Sequence, residues 1–334
     1  MAEAQTTMKS LYGKLQSAGY NPKYIRSLLP DWWDEEIAST PAGYQEASLR
    51  LGGLFGVQPS SLREINTPVA LRVPEGRRFK RQAGHQEQQL DVACALAMSS
   101  ASLSLRWLPQ CEIRKPLPDA KVMRELLLAD NAYINLQVLL DYVWRLGIPV
   151  IFLGYMPSKT KKMAGLAFEH QGVPVIVLTS GKQHGYLVFD LAHELAHIVL
   201  GHVSKDKCVV DQEIDDGAED PDERAANRFA LELLTGDPDC KIVPSGRHLY
   251  AQELASAAAR YGEKHKIDPL HVALNYGYSQ QHWQVAHGAV KIIAANTSPD
   301  QAILRQKLIA ELRTNDIDDD DLMTLLRLTG EAVE

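Results

Sequence analysis

The sequence predicts an α+β protein, mostly helical, with one small sheet. Apolar residues recur at helical spacing along most of the chain. Between Gly147 and Leu178 the period changes to short runs rich in β-branched residues, IPVIFL, AGLAF and VPVIVL, separated by loop-like stretches. A strongly apolar helical segment follows directly, and two histidines and a glutamate sit inside it.

Taken in order, the chain up to about Pro74 reads as short helices with tight turns. Leu11 to Leu15 mark the first, and Tyr24, Ile25, Leu28 and Leu29 the second, which ends at Pro30 because proline cannot continue a helix. After Thr40-Pro41, Leu49, Leu51, Leu54 and Phe55 mark another that Gly56 closes. Pro59, Ser60 and Ser61 open a short one carrying Leu62 and Ile65. This pattern predicts a helix-turn-helix-like domain over residues 1–74. Its Trp32-Trp33 pair reads as core packing, with partner docking as the alternative.

Residues 75–146 read as a charged, solvated joint (Arg77, Arg78, Lys80, Arg81) and a helical bridge. One bridge helix runs from Gln86 to Leu108. A second starts near Pro118 and includes Leu126, Leu127, Leu139, Leu140 and Val143. Residues 147–240 hold the sheet, a helix from Tyr186 to Leu200 ended by Gly201, an acidic loop, and a helix beginning at Pro221. Residues 241–334 read as a helical C-terminal region. Its Asp318 to Asp321 run precedes LMTLLRL, where negative charge suits a helix N-terminus. Asp316, Asp318 and Asp320 alternate, but the sixth position lacks glycine and Arg327 holds the twelfth, which excludes an EF-hand.

Composition narrows the function classes. A 45% hydrophobic and 23% charged chain is ordinary for a protein in water. A formal net charge of -7 offers no overall attraction for nucleic acid or acidic membrane. Residues 1–72 set Lys9, Lys14, Lys23, Arg26, Arg50, Arg63 and Arg72 against Glu3, Asp31, Asp34, Glu35, Glu36, Glu46 and Glu64, which is no basic footprint. Any DNA contact through the N-terminal domain is left to a local patch. The opening MAEAQTTMKSLYGKLQ lacks the apolar core of a signal peptide, and no run reaches the roughly 20 apolar residues of a membrane span. Cys94, Cys111, Cys208 and Cys240 form no CxxC pair. Reduced thiols in a cytoplasmic protein, with no membrane partner, are the expectation.

The chemistry lies in His193-Glu194-Leu195-Ala196-His197, an HExxH sequence. Residues four apart lie one turn apart on a helix face, so both imidazoles can reach a single ion. Glu194, about 100° around the helix, can address a water on that ion. Zinc lowers the pKa of such a water from about 15.7 to about 7, and the carboxylate takes its proton as it attacks a carbonyl. Incidental histidines are the plain alternative. The neighbours Leu187, Val188, Leu191, Leu195, Val199 and Leu200 argue against it, because polar groups in so apolar a helix are costly without a partner.

The third ligand is less determined. HExxHxxGxxH would need histidine at Val203, and His202 lies five residues past His197, off the shared face. A carboxylate from DQEIDDGAEDPDERAANRFALELL fits better. Asp220 can cap a helix opened by Pro221, with Glu223 in its first turn, Asn227 one turn on, and Ala226, Phe229, Ala230 and Leu233 as its apolar stripe. A glutamate from that helix would complete three ligands and leave one position open for water. Asp220-x-x-Glu223 is equally a capping-box spacing, and Glu219 and Asp222 are rival ligands.

LAHELAH followed by ExxANxFAxxLL (Glu223, Ala226, Asn227, Phe229, Ala230, Leu233, Leu234) resembles the ImmA/IrrE family of metallopeptidases over roughly Gly147 to Leu234. Phe189, four residues before His193, also fits. The resemblance implies a zincin-like core holding one Zn2+ per chain through His193, His197 and Glu223, with Glu194 as the catalytic residue. It implies a protein substrate, a helix-turn-helix repressor or antitoxin, cut in bacterial stress-response or mobile-element control. Leu49 to Leu62 (LRLGGLFGVQPSSL) weakly resembles the closing helices of the helix-turn-helix domain that many members carry. This chain lacks the basic residue that usually precedes the catalytic helix near Tyr186 or Val188, and LLTGDP replaces a proline-ended LLMP. Asn227 and Asp190 are candidates to orient a zinc-bound imidazole, with a surface or capping role for the first and a solvated first-turn charge for the second as the ordinary readings. Set against the protease is a DNA-binding regulator or antitoxin that keeps the zinc fold as sensor or scaffold.

Overall fold

Caps and prolines start the N-terminal helices where the sequence places them. These are α1 (Met8–Ser17), α2 (Pro22–Leu28), α3 (Pro41–Leu54) and α4 (Pro59–Arg63), with a 3-10 turn at Glu35–Ser39. Asn21 accepts from the Tyr24 amide and Thr40 from the Gly43 amide, and proline fills the first turn of α2, α3 and α4. The structure is a computed structural model. It describes all residues except 1–6, 65, 74–84, 109–112, 114–115, 159, 161–162, 183, 204–208, 212–219, 245, 247–248, 314–315 and 332–334. The joint's Arg77, Arg78, Lys80 and Arg81, and the rival ligand Glu219, lie outside the described residues.

After α5 (His85–Leu105), the expected second bridge helix is two helices, α6 (Ala120–Leu128) and α7 (Leu136–Arg145). Two asparagines explain the division. Asn131 donates back to the Leu127 carbonyl at 2.8 Å, and Asn135 caps α7 by accepting from the Val138 amide at 2.9 Å.

The sheet has the strand order β1-β3-β2-β4, with β1 (Val150–Phe152), β2 (Gly165–His170), β3 (Val173–Leu178) and β4 (Val209–Asp211). β1 runs parallel to β3, while β2 is antiparallel to both β3 and β4. Gln171 and Gly172, both at positive φ, join β2 to β3 as a two-residue hairpin loop. β4 has no counterpart in the sequence reading; three residues carry too little pattern to announce a strand.

Alternation along the strands sends side chains into two cores. Ile151, Leu166, Phe168, Val175 and Val177 join the N-terminal helices, α5 and the C-terminal Leu308, Leu312, Leu325 and Leu328. Val150, Phe152, Ile176 and Leu178 face α6, α7, α8 (Tyr186–Val199) and α9 (Pro221–Thr235). A third cluster is built from α10 (Ala251–His265), α11 (Pro269–Gln280) and α12 (Trp283–Ile293). The chain closes with α13 (Asp300–Arg313) and α14 (Asp319–Leu328). The fold is thus mostly helical α+β with a small sheet, as the periodicities predicted.

Two polar clamps tie these parts together. Arg124 of α6 is buried and donates to the carbonyls of Leu233 and Leu234 at the end of α9, and of His265 and Lys266 at the end of α10. One guanidinium thus serves two helix C-termini. In the aspartate run, Asp318 caps α14, Asp320 accepts from the Trp32 indole and Asp321 from the Trp107 indole, each at 2.7 Å. Trp33 is partly buried and donates to the Tyr12 hydroxyl, whereas Trp32 is 49% exposed. Only Trp33 therefore packs as expected. Among the described residues, no helix is long and apolar enough to cross a membrane.

Candidate metal centre

α8 carries the HExxH sequence through the middle of the second core. Leu187, Val188, Leu191, Ala192, Leu195 and Ala196 are all essentially buried, and so are His193, Glu194 and His197. The helix lies against β2, β3, α7 and α9. Its N-cap, Gly185, has no side chain to offer. Asp300, the first residue of α13, accepts from the Gly185 amide at 2.8 Å instead and helps hold the amide of Leu187. At the other end Gly201 adopts φ 75°, so its amide reaches Ile198 O and that of His202 reaches His197 O. This pair of bonds is a Schellman closure, which requires the left-handed conformation that glycine adopts without strain.

α9 supplies the carboxylate. Asp220 caps it by accepting from the Asp222 amide at 2.9 Å. Glu223, one position on, directs its oxygens at the imidazoles. Oε2 lies 3.5 Å from His193 Nε2 and Oε1 3.7 Å from His197 Nε2. The two Nε2 atoms are themselves 3.0 Å apart. Among the described residues, these three side chains bring their ligand atoms within 4.8 Å of one another. Ligand atoms about 2.0–2.2 Å from a tetrahedral zinc would stand roughly 3.3–3.6 Å from each other, so two nitrogens and one oxygen at these spacings fit such an ion with a position left open. Asp222, a rival ligand, instead faces His202, with Oδ1 3.7 Å from its Nε2.

Glu194, next to His193 in the chain, is fully buried. Its carboxylate occupies space that exists only because β2 begins with glycine. A Cβ on Gly165 would stand 2.1 Å from Glu194 Oε1 and 2.6 Å from its Cδ. Nothing in the sequence around Gly165 reveals this role, because its counterpart is on another element.

The remaining predicted residues fall nearby. Asn227, one turn beyond Glu223, is buried. Asp190 is also buried, which corrects its reading as a solvated charge, and its charge helps push the Tyr186 phenol upward after burial has done most of that work. His202 departs most from expectation. The closure at Gly201 turns the chain back, so that His202 Nδ1 lies 2.9 Å from His197 Nδ1. Phe189 stacks on His271 of α11, with ring centroids 6.0 Å apart. Burial pushes the His271 imidazole down to about 4, and its Nε2 has no hydrogen-bond partner among the described residues.

Residues 145–266 match the family model Peptidase_M78, the IrrE N-terminal-like domain. The match spans the sheet, α8, α9 and α10. No curated protein and no solved structure matches the chain.

Proposed function

We propose that the ImmA/IrrE-family metallopeptidase domain of this chain, residues 145–266, is a zinc-dependent endopeptidase. It holds one Zn2+ through His193, His197 and Glu223 and uses Glu194 as general base. The observation that carries this reading is the convergence of two imidazole nitrogens and one carboxylate at 3.0–3.7 Å, with the buried Glu194 next in the chain to His193.

Bound there, zinc supplies a Lewis acid that polarises a peptide carbonyl and makes a water acidic enough to be deprotonated near neutral pH. The chain's own residues do the rest. Glu194 accepts the water's proton on a carboxylate oxygen as the water oxygen attacks the scissile carbon. It then returns that proton to the amine nitrogen as the C–N bond breaks. Because Gly165 carries no Cβ, the core has room for the Glu194 carboxylate against β2. Apolar packing around α8 excludes bulk water and strengthens each charge interaction in the site. On the resemblance of LAHELAH and ExxANxFAxxLL, the substrate is a specific cytoplasmic protein, a helix-turn-helix repressor or an antitoxin, whose cleavage controls stress-response or mobile-element genes.

The test is zinc content by elemental analysis of wild type and Glu223→Ala, purified identically with metal supplied. About one zinc per wild-type chain and a loss to background in the variant is expected. A wild-type chain that takes up no zinc overturns the reading.

A further inference from the structure

We infer that His202 is a positioning residue for the metal site: its Nδ1 accepts the Nδ1–H of His197 and so holds that imidazole with Nε2 turned to the ion. The inference rests on the zinc reading above and adds a residue to it.

The geometry assigns the protons. His197 Nε2 points into the ligand cluster, 3.0 Å from His193 Nε2 and 3.7 Å from Glu223 Oε1. A nitrogen that binds a cation offers a lone pair, so a neutral His197 carries its proton on Nδ1. That Nδ1 lies 2.9 Å from His202 Nδ1, a full hydrogen-bond contact, so His202 accepts there and carries its own proton on Nε2. On that side stands Asp222, with Oδ1 at 3.7 Å. This is too long for a direct hydrogen bond, but it places a negative charge where it favours the Nε2–H tautomer. The rings of His197 and His202 are 5.1 Å apart and tilted by 59°, which allows an in-plane approach of the two nitrogens.

Two local features build this contact. The left-handed Gly201 reverses the chain so that a residue five positions past His197 folds back onto it. Asp222 stands between the cap Asp220 and the ligand Glu223 on α9. The turn that closes α8 and the first turn of α9 therefore supply the outer support of one ligand. Outer partners of metal-bound imidazoles fix tautomer and ring orientation, and their loss costs about 10–100-fold in metal affinity.

The experiment is Zn2+ affinity by competition with a chromophoric chelator, on the full chain, for wild type, His202→Ala and His202→Asn. The asparagine Oδ1 stands near the place of the lost Nδ1 and keeps an acceptor there, while alanine removes it. Affinity is expected to fall about 10–100-fold in His202→Ala and to recover to within about threefold of wild type in His202→Asn. Unfolding temperatures of the metal-free proteins, measured alongside, should agree among all three. Equal Zn2+ affinity in wild type and His202→Ala overturns the role, and so does an asparagine variant as weak as alanine. If the wild-type chain binds no Zn2+, the metal centre itself falls, a result distinct from a wild type that binds and a variant that binds equally well.

Discussion

α8 and α9 both point polar side chains at one place, yet they are held there by different means. α8 is apolar on nearly every side, and its histidines and glutamate are fixed by burial among Leu187, Leu191, Leu195 and the strands. α9 is amphipathic. Its apolar stripe of Ala226, Phe229, Ala230 and Leu233 packs inward, while Glu223 keeps 17% side-chain exposure in the first turn. α8 borrows its N-terminal support from Asp300 across the molecule, whereas α9 carries its own cap in Asp220 and is clamped at its far end by Arg124. The proposed base and two of the proposed ligands therefore sit on a rigid buried rod, and the third is brought by a helix that also relies on remote polar contacts.

Substitutions on each helix sharpen that difference. The largest effect is expected from Glu194→Gln, which keeps the shape of the buried side chain and removes the proton acceptor. Peptide hydrolysis should drop about 10²–10⁴-fold while zinc content stays at wild-type level. A variant that loses its zinc would mean that α8 does not hold its histidines independently of Glu194.

Arg124→Met comes next and bears on α9. It leaves four carbonyls without their charged donor, so thermal or denaturant unfolding should show a loss of about 2–4 kcal/mol. Zinc affinity should weaken as well, since the end of α9 is released. Unchanged stability would show that apolar packing alone places the helix.

Gly165→Ala tests the seat of the base on the strand side. With Cβ forced to within 2.1 Å of Glu194 Oε1, the carboxylate must shift. Hydrolysis should fall about 10–100-fold with the metal retained, as expected for a displaced catalytic group. Activity equal to wild type would indicate that Glu194 has room to re-seat.

An effect of comparable size concerns pH and the support of α8 by α11. Burial, reinforced by Asp300, raises the Asp268 carboxyl to about 6, so its stabilising contribution is present below the unfolded value near 4 and is lost as pH rises toward 6. Burial lowers His271 to about 4, so its contribution is present above the unfolded value of 6.5 and is lost as pH falls toward 4. The two slopes oppose each other between about pH 4 and 6. Asp268→Asn can still accept from the Leu270 amide, but it leaves the histidine unopposed. Denaturation midpoints of that variant should then climb with pH over this window by more than wild type, by about 2–3 kcal/mol. A flat profile would show that His271 does not titrate within the fold.

The legible parts of this protein are those whose partners lie within a few residues. HExxH needs only helical spacing to place His193 and His197 together, and the alternation in VPVIVL suffices to send Ile176 and Leu178 one way and Val175 and Val177 the other. Caps such as Asn21 and Thr40, and the stop at Gly201, are local as well. Glu223 stands at the limit, because a ligand and a capping-box partner have the same spacing from Asp220, and only the family resemblance favours the ligand. Beyond that limit lie the contacts between elements. Gly165 under Glu194, Asp300 on the end of α8, Arg124 on two helix termini and His202 against His197 each join backbone or side chains that no periodicity connects. Periodicity and capping are local energies written along the chain. Which buried amide finds which carboxylate depends on how the helices and sheet stack, and in this protein that stacking decides how well a recognisable motif is held.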